Sequence, residues 1–334
     1  MKKIVLFNSL VFTLAAIGAT PSSTPVIAQN SLQTTQIERS LRDPRSGANF
    51  KISQTPATQL RVVQTGKQPR QKLRLKPIPR AKQTTTMTVD MNAIVSVGGQ
   101  STPQLNSPKS KTNVDVQVIK VDDNGDFHAD FVYTNTEVIA TPNTKPEQVE
   151  QMRSYFKKIE GFKGTIVSDY RGNVKEVKSD IPENIEPDTK QILEQTLKSF
   201  KEIFLPLPTE AVGIGAEWQI INNSKLDGIN IRQTETYELI ERKNNTITLA
   251  VNVEQNGGSQ KINMPQMPAG TEMEIVSLNG NGRGKIKIDL NKIMPINSTM
   301  SVNSDSTMKI KNTNTSEEIT LERKISVTVS LESN

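Results

Sequence analysis

The chain has 334 residues, of which 34% are hydrophobic, and this is enough for one large or two small domains with a sizeable core. It contains no cysteine, which excludes disulfides, thiolate catalysis, cysteine–zinc sites and a lipid-modified cysteine. The formal net charge of +6 is concentrated in residues 30–90, where twelve Lys or Arg stand against three acids, so the chain after residue 90 is mildly acidic.

The N-terminus has the pattern of a secretory signal peptide. Lys2 and Lys3 precede an apolar run over residues 4–17, which is shorter than the roughly 20 residues that a spanning helix needs. Cleavage after Ala28 fits the small-residue rule best, and cleavage after Ala19 is the alternative. We therefore expect a signal peptide over residues 1–28, no later transmembrane segment, and a bacterial protein exported to the periplasm or the extracellular space.

Residues 29–70 are polar and proline-containing, which predicts a flexible basic leader. The basic run continues to Lys82 and would attract anionic lipid head groups or wall polymers, although a solvated tail explains the same composition. Nucleic acid is a poor candidate partner because the basic run from Lys67 to Lys82 has no aromatic residue to stack on bases. Residues 71–334 are expected to form a single β-rich domain.

Alternating apolar residues predict the first strands at residues 72–76 and 84–97, followed by a hairpin over residues 114–133. Asn124-Gly125 in the hairpin turn predicts a type I′ turn, and the spacing of its acids does not fit a calcium-binding loop. His128 is the only histidine, and a histidine without a partner to orient it is expected to lie at the surface.

Two amphipathic helices are expected. Residues 144–147 have the form of a capping box, apolar residues follow at helical spacing, and Gly161 ends the run. A second hairpin is expected over residues 165–177, with its turn at residues 169–173. The second helix should begin near Asp188.

Residues 204–220 join this second helix to the rest of the chain. Pro206 and Pro208 stop the helix, Gly213 and Gly215 allow a close backbone approach, and Trp218 begins a strand. The segment has no nucleophile, base or metal-ligand set, so we interpret it as a hinge in which Gly213, Gly215 and Trp218 are structural anchors. A series of strands without intervening helices follows, which predicts an antiparallel meander.

Two motifs in this second half bear on possible binding sites: a glycine-rich run and a group of three methionines. The glycine-rich run at residues 279–284 precedes a strand rather than a helix, so we predict a turn and not a phosphate-binding loop. Met264, Met267 and Met273 could line an apolar surface or cavity mouth, since thioethers adapt to varied apolar partners, although core filling is the commoner use.

The leucines at 73 and 75, the run Leu205-Pro206-Leu207-Pro208, and Val212-Gly213-Ile214-Gly215-Ala216 before Trp218 resemble an exported bacterial family of unknown function. Such proteins are similar in expected shape to the lipoprotein-localisation half-barrel proteins. The resemblance implies a fold more than a function, and the chain lacks the lipid-modified cysteine of the usual pattern.

The predicted fold class is therefore α+β and mostly antiparallel, with a curved sheet or half-barrel and two main helices packed on it. The first functional hypothesis is an apolar groove that binds a lipid or a lipoprotein acyl chain. The second is a structural or interaction protein of the cell envelope, docked by its basic leader. We expect no enzymatic activity, no cofactor and no metal site, because no motif for such chemistry is present.

Overall fold

A computed structural model describes residues 59–101, 105–142, 144–179, 181, 185–201, 203–226, 229–262, 270–315 and 317–334. It confirms the α+β prediction, because a large, curved and unclosed antiparallel sheet carries two helices. The helices of the described residues are α1 (Pro146–Lys157) and α2 (Pro187–Lys201). The strands are β1 (Gln59–Gln64), β2 (Gln71–Lys72), β3 (Lys82–Val97), β4 (Gln100–Ser101), β5 (Leu105–Asn106), β6 (Lys109–Val121), β7 (Phe127–Ile139), β8 (Lys163–Ser168), β9 (Val174–Lys178), β10 (Ala211–Val212), β11 (Glu217–Leu226), β12 (Ile229–Lys243), β13 (Thr246–Gly257), β14 (Gln260–Ile262), β15 (Thr271–Asp289), β16 (Asn297–Asn312) and β17 (Glu318–Ser333).

The main sheet runs in the order β1-β11-β12-β13-β15-β16-β17-β3-β6-β7-β8-β9. Its second half is the expected meander, and β17 returns beside β3, so the two halves of the chain form one continuous sheet. One face carries the main core, which includes Trp218, Phe127, Phe131 and Leu249, and the helices add Phe156 and Leu197 to it. Alternation along β3, β6 and β7 gave the correct strands because only one face of each strand is buried.

The folded region begins earlier than the predicted boundary at residue 71. β1 lies inside the segment expected to be a flexible leader and pairs with β11, where Val62 is opposite Trp218. The prediction of a flexible leader is therefore wrong for residues 59–64. Residues 1–58, which hold the predicted signal peptide and most of the leader, lie outside the described residues.

The predicted strand at residues 72–76 is only partly correct. Leu73 and Leu75 are buried as expected, but only Gln71–Lys72 is regular strand, and it pairs with β10. The backbone N–H groups of Leu75 and Lys76 instead donate to the carbonyls of Tyr170 and Leu290. The segment is thus held by two loops that are distant in sequence rather than by a neighbouring strand.

Both predicted hairpins are present, but the turn of the first differs in type. Asn-Gly predicted a type I′ turn, which needs positive φ at both central residues, whereas within the turn only Gly125, with φ of 85°, has positive φ. Asp122 N–H donates to the Asp126 carbonyl and Gly125 N–H to the Asp122 carbonyl. The second turn repeats this pattern, with Gly172 at a φ of 82°.

The start of α1 is shifted by one residue from the predicted capping box. Pro146 is the first helical residue, so Lys145 is the N-cap, and its backbone N–H donates to Oε1 of Gln148 at 3.1 Å. The Thr144 hydroxyl oxygen accepts from the backbone N–H of Thr141 instead. The helix therefore begins one residue later than the predicted capping box, and Gln148 rather than Glu147 completes its cap.

The glycine-rich run at residues 279–284 is not a turn, and that prediction is wrong. Gly280, Gly282 and Gly284 lie in the middle of β15, at alternate positions that share a face with the buried Ile286. A Cβ at Gly282 would lie 2.7 Å from Cγ2 of Val302 on β16. Glycine is needed here because the backbones and side chains of the neighbouring strands approach closely, and such glycines permit a sheet to bend.

Candidate functional site

The linker at residues 204–220 crosses the chain just after β1 at very close range. The N–H of Gly213 donates to the Thr65 carbonyl at 2.9 Å, and the N–H of Lys67 donates to the Ile214 carbonyl at 2.9 Å. A Cβ on Gly213 would overlap the carbonyl oxygen of Lys67, and Gly215 has a φ of 78°. The two glycines thus have a conformational explanation, and no reactive group lies between them.

Trp218 is fully buried and stacks on Tyr237, with ring centroids 5.9 Å apart and an interplanar angle of 15°. Its position on β11, between β1 and β12, agrees with an anchoring role. That role remains a prediction, because burial alone does not measure its contribution to stability.

Of the three methionines predicted to line an apolar site, the structure describes only Met273. It is partly buried on β15 and packs against a small second cluster, separate from the main core. The buried members of that cluster are Ile231, Ile262, Ile275 and Leu278. Met264 and Met267 lie outside the described residues, so the methionine site stays a prediction.

A cavity of about 890 Å³ lies in the other half of the sheet, over β3, β6, β7, β8 and β9. The segment after α1 and Leu193 of α2 complete its lining. Its volume is within the range of roughly 300–1,000 Å³ that is typical of small-molecule sites. Five apolar residues border the cavity, and all of them except the half-buried Val132 are buried in the main core: Val116, Phe131, Val132, Phe162 and Leu193.

The polar lining of this cavity is ordered by the register of the sheet. One row crosses all five strands, each residue directly opposite the next, and consists of Lys82, Gln117, Asp130, Thr165 and Lys178. We call these five residues the polar row. A parallel row two positions along the strands contains Thr84, Asp115, Val132 and Lys163. The buried position between the two rows on β7, Phe131, belongs to the main core.

Charges of both signs face the cavity without neutralising one another. Lys82, Lys158 and Lys163 form no ion pair within the described ranges, and Lys178 pairs with Glu176 at 2.9 Å, outside the lining. The acids of the lining are Asp115, Asp130 and Glu160. Asp115 accepts a hydrogen bond from the Thr84 hydroxyl at 2.7 Å, whereas Asp130 has no such contact in the described part of the chain.

A buried polar cluster occupies the inner face of β12 and β13. Gln255 Nε2 donates to Oε1 of Gln233 at 2.7 Å, and Gln233 Nε2 donates to Oε1 of Glu235 at 2.6 Å. The Tyr237 hydroxyl donates to the other oxygen of Glu235. Burial raises the pKa of Glu235 above its ordinary value, and the two hydrogen bonds oppose that rise only in part. No sequence motif predicts this cluster.

The acidic turn at residues 122–126 forms ion pairs. His128, expected to lie at the surface without a partner, places Nε2 2.7 Å from Oδ2 of Asp122. Lys120 and then His128 lower the pKa of Asp122. Asp126 accepts from Lys175 Nζ through both oxygens, at 2.7 and 2.6 Å. Among the described residues no three His, Cys, Asp or Glu side chains are grouped for a metal ion.

Two members of the basic run are used within the fold. Arg70 donates to the Gly66 carbonyl at 2.9 and 2.7 Å, and Arg74 donates to the carbonyls of Leu73, Pro208 and Thr209. These guanidinium groups hold the backbone of the crossing segments. The run is therefore not simply a solvated basic patch.

Comparison with known proteins shows a similarity to one family over part of the chain. The model of a family described as "Family of unknown function (DUF6263)" matches residues 189–295, which extend from α2 through β15. The chain is similar to that family over this region, and the match fits the expectation of a family without an assigned function. No curated protein matches the chain. None of the helices in the described ranges has the length and apolar character needed to cross a membrane.

Proposed function

We propose that the protein is an exported, non-enzymatic binder of an amphiphilic molecule, such as a lipid or a detached acyl chain. The observation that carries the proposal is the cavity of about 890 Å³ on a curved, unclosed sheet, which is bordered by four lysines, by the half-buried Val132 and by residues of the main core. An apolar chain gains free energy from leaving water, at roughly 25 cal/mol per Å² of buried apolar surface. Charged lining residues would hold its polar end.

The N-terminal sequence pattern supports export, since Lys2 and Lys3 precede a short apolar run and small residues follow it. The absence of an assigned catalytic motif favours binding over chemistry, but it remains part of the proposal. The shape expected from the sequence, that of half-barrel carriers, would favour the same conclusion as an analogy of fold.

The test is binding by the mature chain beginning at residue 29. A fluorescent fatty acid should bind with saturable stoichiometry, and native mass spectrometry should show one added ligand. Val132→Trp should obstruct part of the cavity and reduce binding, because this half-buried residue lines it. Val167→Trp is the matched control, since Val167 is half-buried on β8 but is not part of the lining. Equal binding by both variants, or none by the parent protein, would contradict the proposal.

A second candidate function is docking on an anionic envelope surface through the basic leader, which the twelve Lys or Arg of residues 30–90 favour. Deletion of residues 30–58 leaves β1 intact, removes four of these twelve cations (Arg39, Arg42, Arg45 and Lys51), and should weaken association with membrane or wall fractions. Unchanged fractionation would argue against docking. The same deletion should leave fatty-acid binding unaltered, so the two functions can be separated.

A further inference from the structure

We infer that the ligand of this cavity carries a zwitterionic polar group, with a cationic centre and an anionic centre on the same molecule. The inference rests on the proposed function and adds the chemical class of the ligand. Its basis is the arrangement of unneutralised charges of both signs around one cavity.

The polar row places an acid between two cations. Asp130 lies on the central strand of the row, and Lys82 and Lys178 lie two strands away on either side. Neighbouring strands are about 4.8 Å apart, so each lysine backbone is about 10 Å from that of Asp130. At this spacing a molecule seated on Asp130 can also reach a lysine.

In the second row, Lys163 lies closer to Asp130 than Lys82 and Lys178 do. Lys163 on β8 is opposite Val132 on β7, and Val132 is two residues from Asp130 on the same face of the strand. Lys163 is exposed and forms no ion pair among the described residues. An ammonium group near Asp130 and a phosphate or carboxylate near Lys163 would be separated by roughly one diagonal cross-strand distance, about 7 Å.

A ligand that carries a charge of only one sign would not find favourable contacts with all the charged residues of the lining. A purely anionic ligand would bring its charge near Asp115 and Asp130, and a purely cationic one would meet the four lysines. Like charges repel, whereas opposite charges within about 4–6 Å attract, so a ligand with both charges makes the most favourable contacts. Val132 and Phe162 provide apolar surface for its chain.

The experiment compares four probes with one acyl or alkyl chain length, each below its critical micelle concentration. They are a lysophosphatidylethanolamine, the fatty acid, the alkylammonium ion and the monoacylglycerol, and each displaces a fluorescent fatty acid from the full mature chain. The zwitterion should bind about tenfold more tightly than the neutral monoacylglycerol, with the two singly charged probes between them.

Two variants test which residue binds the anionic centre of the ligand and which binds its cationic centre. Lys163→Gln should weaken the zwitterion and the fatty acid but not the alkylammonium ion, and Asp130→Asn should weaken the zwitterion and the alkylammonium ion but not the fatty acid. Both residues are exposed, so folding should be retained. Lys111→Gln, at an exposed position on β6 outside the lining, is the matched control and should change nothing.

The outcomes separate the inference from the function on which it rests. Equal affinity for the monoacylglycerol and the zwitterion would overturn the inference and leave the binding function standing. Equal affinity for the fatty acid and the zwitterion, with no effect of Asp130→Asn, would overturn it in favour of an anionic ligand. Failure of all four probes to bind would overturn both.

Discussion

Glu235 is a carboxyl group in the core, and its charge makes the stability of the fold depend on pH. It is 2% exposed, lies opposite the apolar Ile220 and Val253, and receives hydrogen bonds from Gln233 and Tyr237. No lysine, arginine or histidine of the described residues forms an ion pair with it. We predict that replacing Glu235 by the isosteric, uncharged Gln removes the loss of folding stability that ionisation of the buried carboxyl causes as the pH rises.

The direction in which Glu235 changes stability with pH follows from the linkage between proton binding and folding. Burial raises the pKa of Glu235 in the folded state, so between the ordinary value of 4.5 and the raised value the folded chain binds more protons than the unfolded chain. The stabilising contribution of the protonated carboxyl is complete below pH 4.5 and is lost as the pH rises through that window. A single proton gives a slope of at most about 1.4 kcal/mol per pH unit.

The measurement is urea unfolding from pH 4.5 to 8 for the parent protein and for Glu235→Gln. Subtracting the two curves cancels the other titrating groups, and the difference should grow in favour of the variant as the pH rises. Glu254→Gln, at an exposed position on the neighbouring β13, is the control and should leave the pH dependence intact. If the parent and Glu235→Gln curves stay parallel over this range, Glu235 does not titrate there and the reasoning fails.

Three further changes test packing and surface charge by urea unfolding at one pH. Trp218→Ala should cost about 3–5 kcal/mol because the side chain is fully buried, and an unchanged midpoint would refute the anchoring role. Gly282→Val should cost about 1–3 kcal/mol, since even its Cβ would lie 2.7 Å from Val302, and a neutral effect would show that the strands can separate freely. Lys175→Met should cost more than the roughly 0.2–1 kcal/mol typical of exposed pairs, because the lysine is 46% exposed but the Asp126 side chain that it leaves unpaired is only 12% exposed, and a smaller loss that disappears at 1 M salt would contradict this.

The parts of the fold that could be predicted from the sequence are those fixed by local pattern. β3, β6 and β7 alternate because one face is buried, and α1 and α2 carry an apolar stripe, so each pattern reports its own environment. Within β15, the glycines and asparagines of residues 279–284 predict a turn, because both residue types are typical of turns. Only the closeness of Val302, a residue on the next strand, explains why glycine is required there.

The cavity could not be predicted for a related reason. Lys82 and Lys178 belong to one polar row, yet the row exists only through four successive pairings, of which the sequence indicated the β6–β7 and β8–β9 hairpins. The register between β3 and β6 and between β7 and β8 is set by long connections with no local signal. Individually, the residues of the row have the composition of an ordinary solvated strand face.

The family match and the cavity fall on different halves of the sheet. Residues 189–295 contain Trp218, Glu235 and the glycines of β15, so the matched region is the half of the sheet that holds the buried polar cluster. Of the cavity lining, only Leu193 lies within it. Similarity to the family therefore supports the scaffold and not the ligand. If the cavity is the binding site, its charges can differ among proteins that share the matched half, and ligand class has to be measured on each chain.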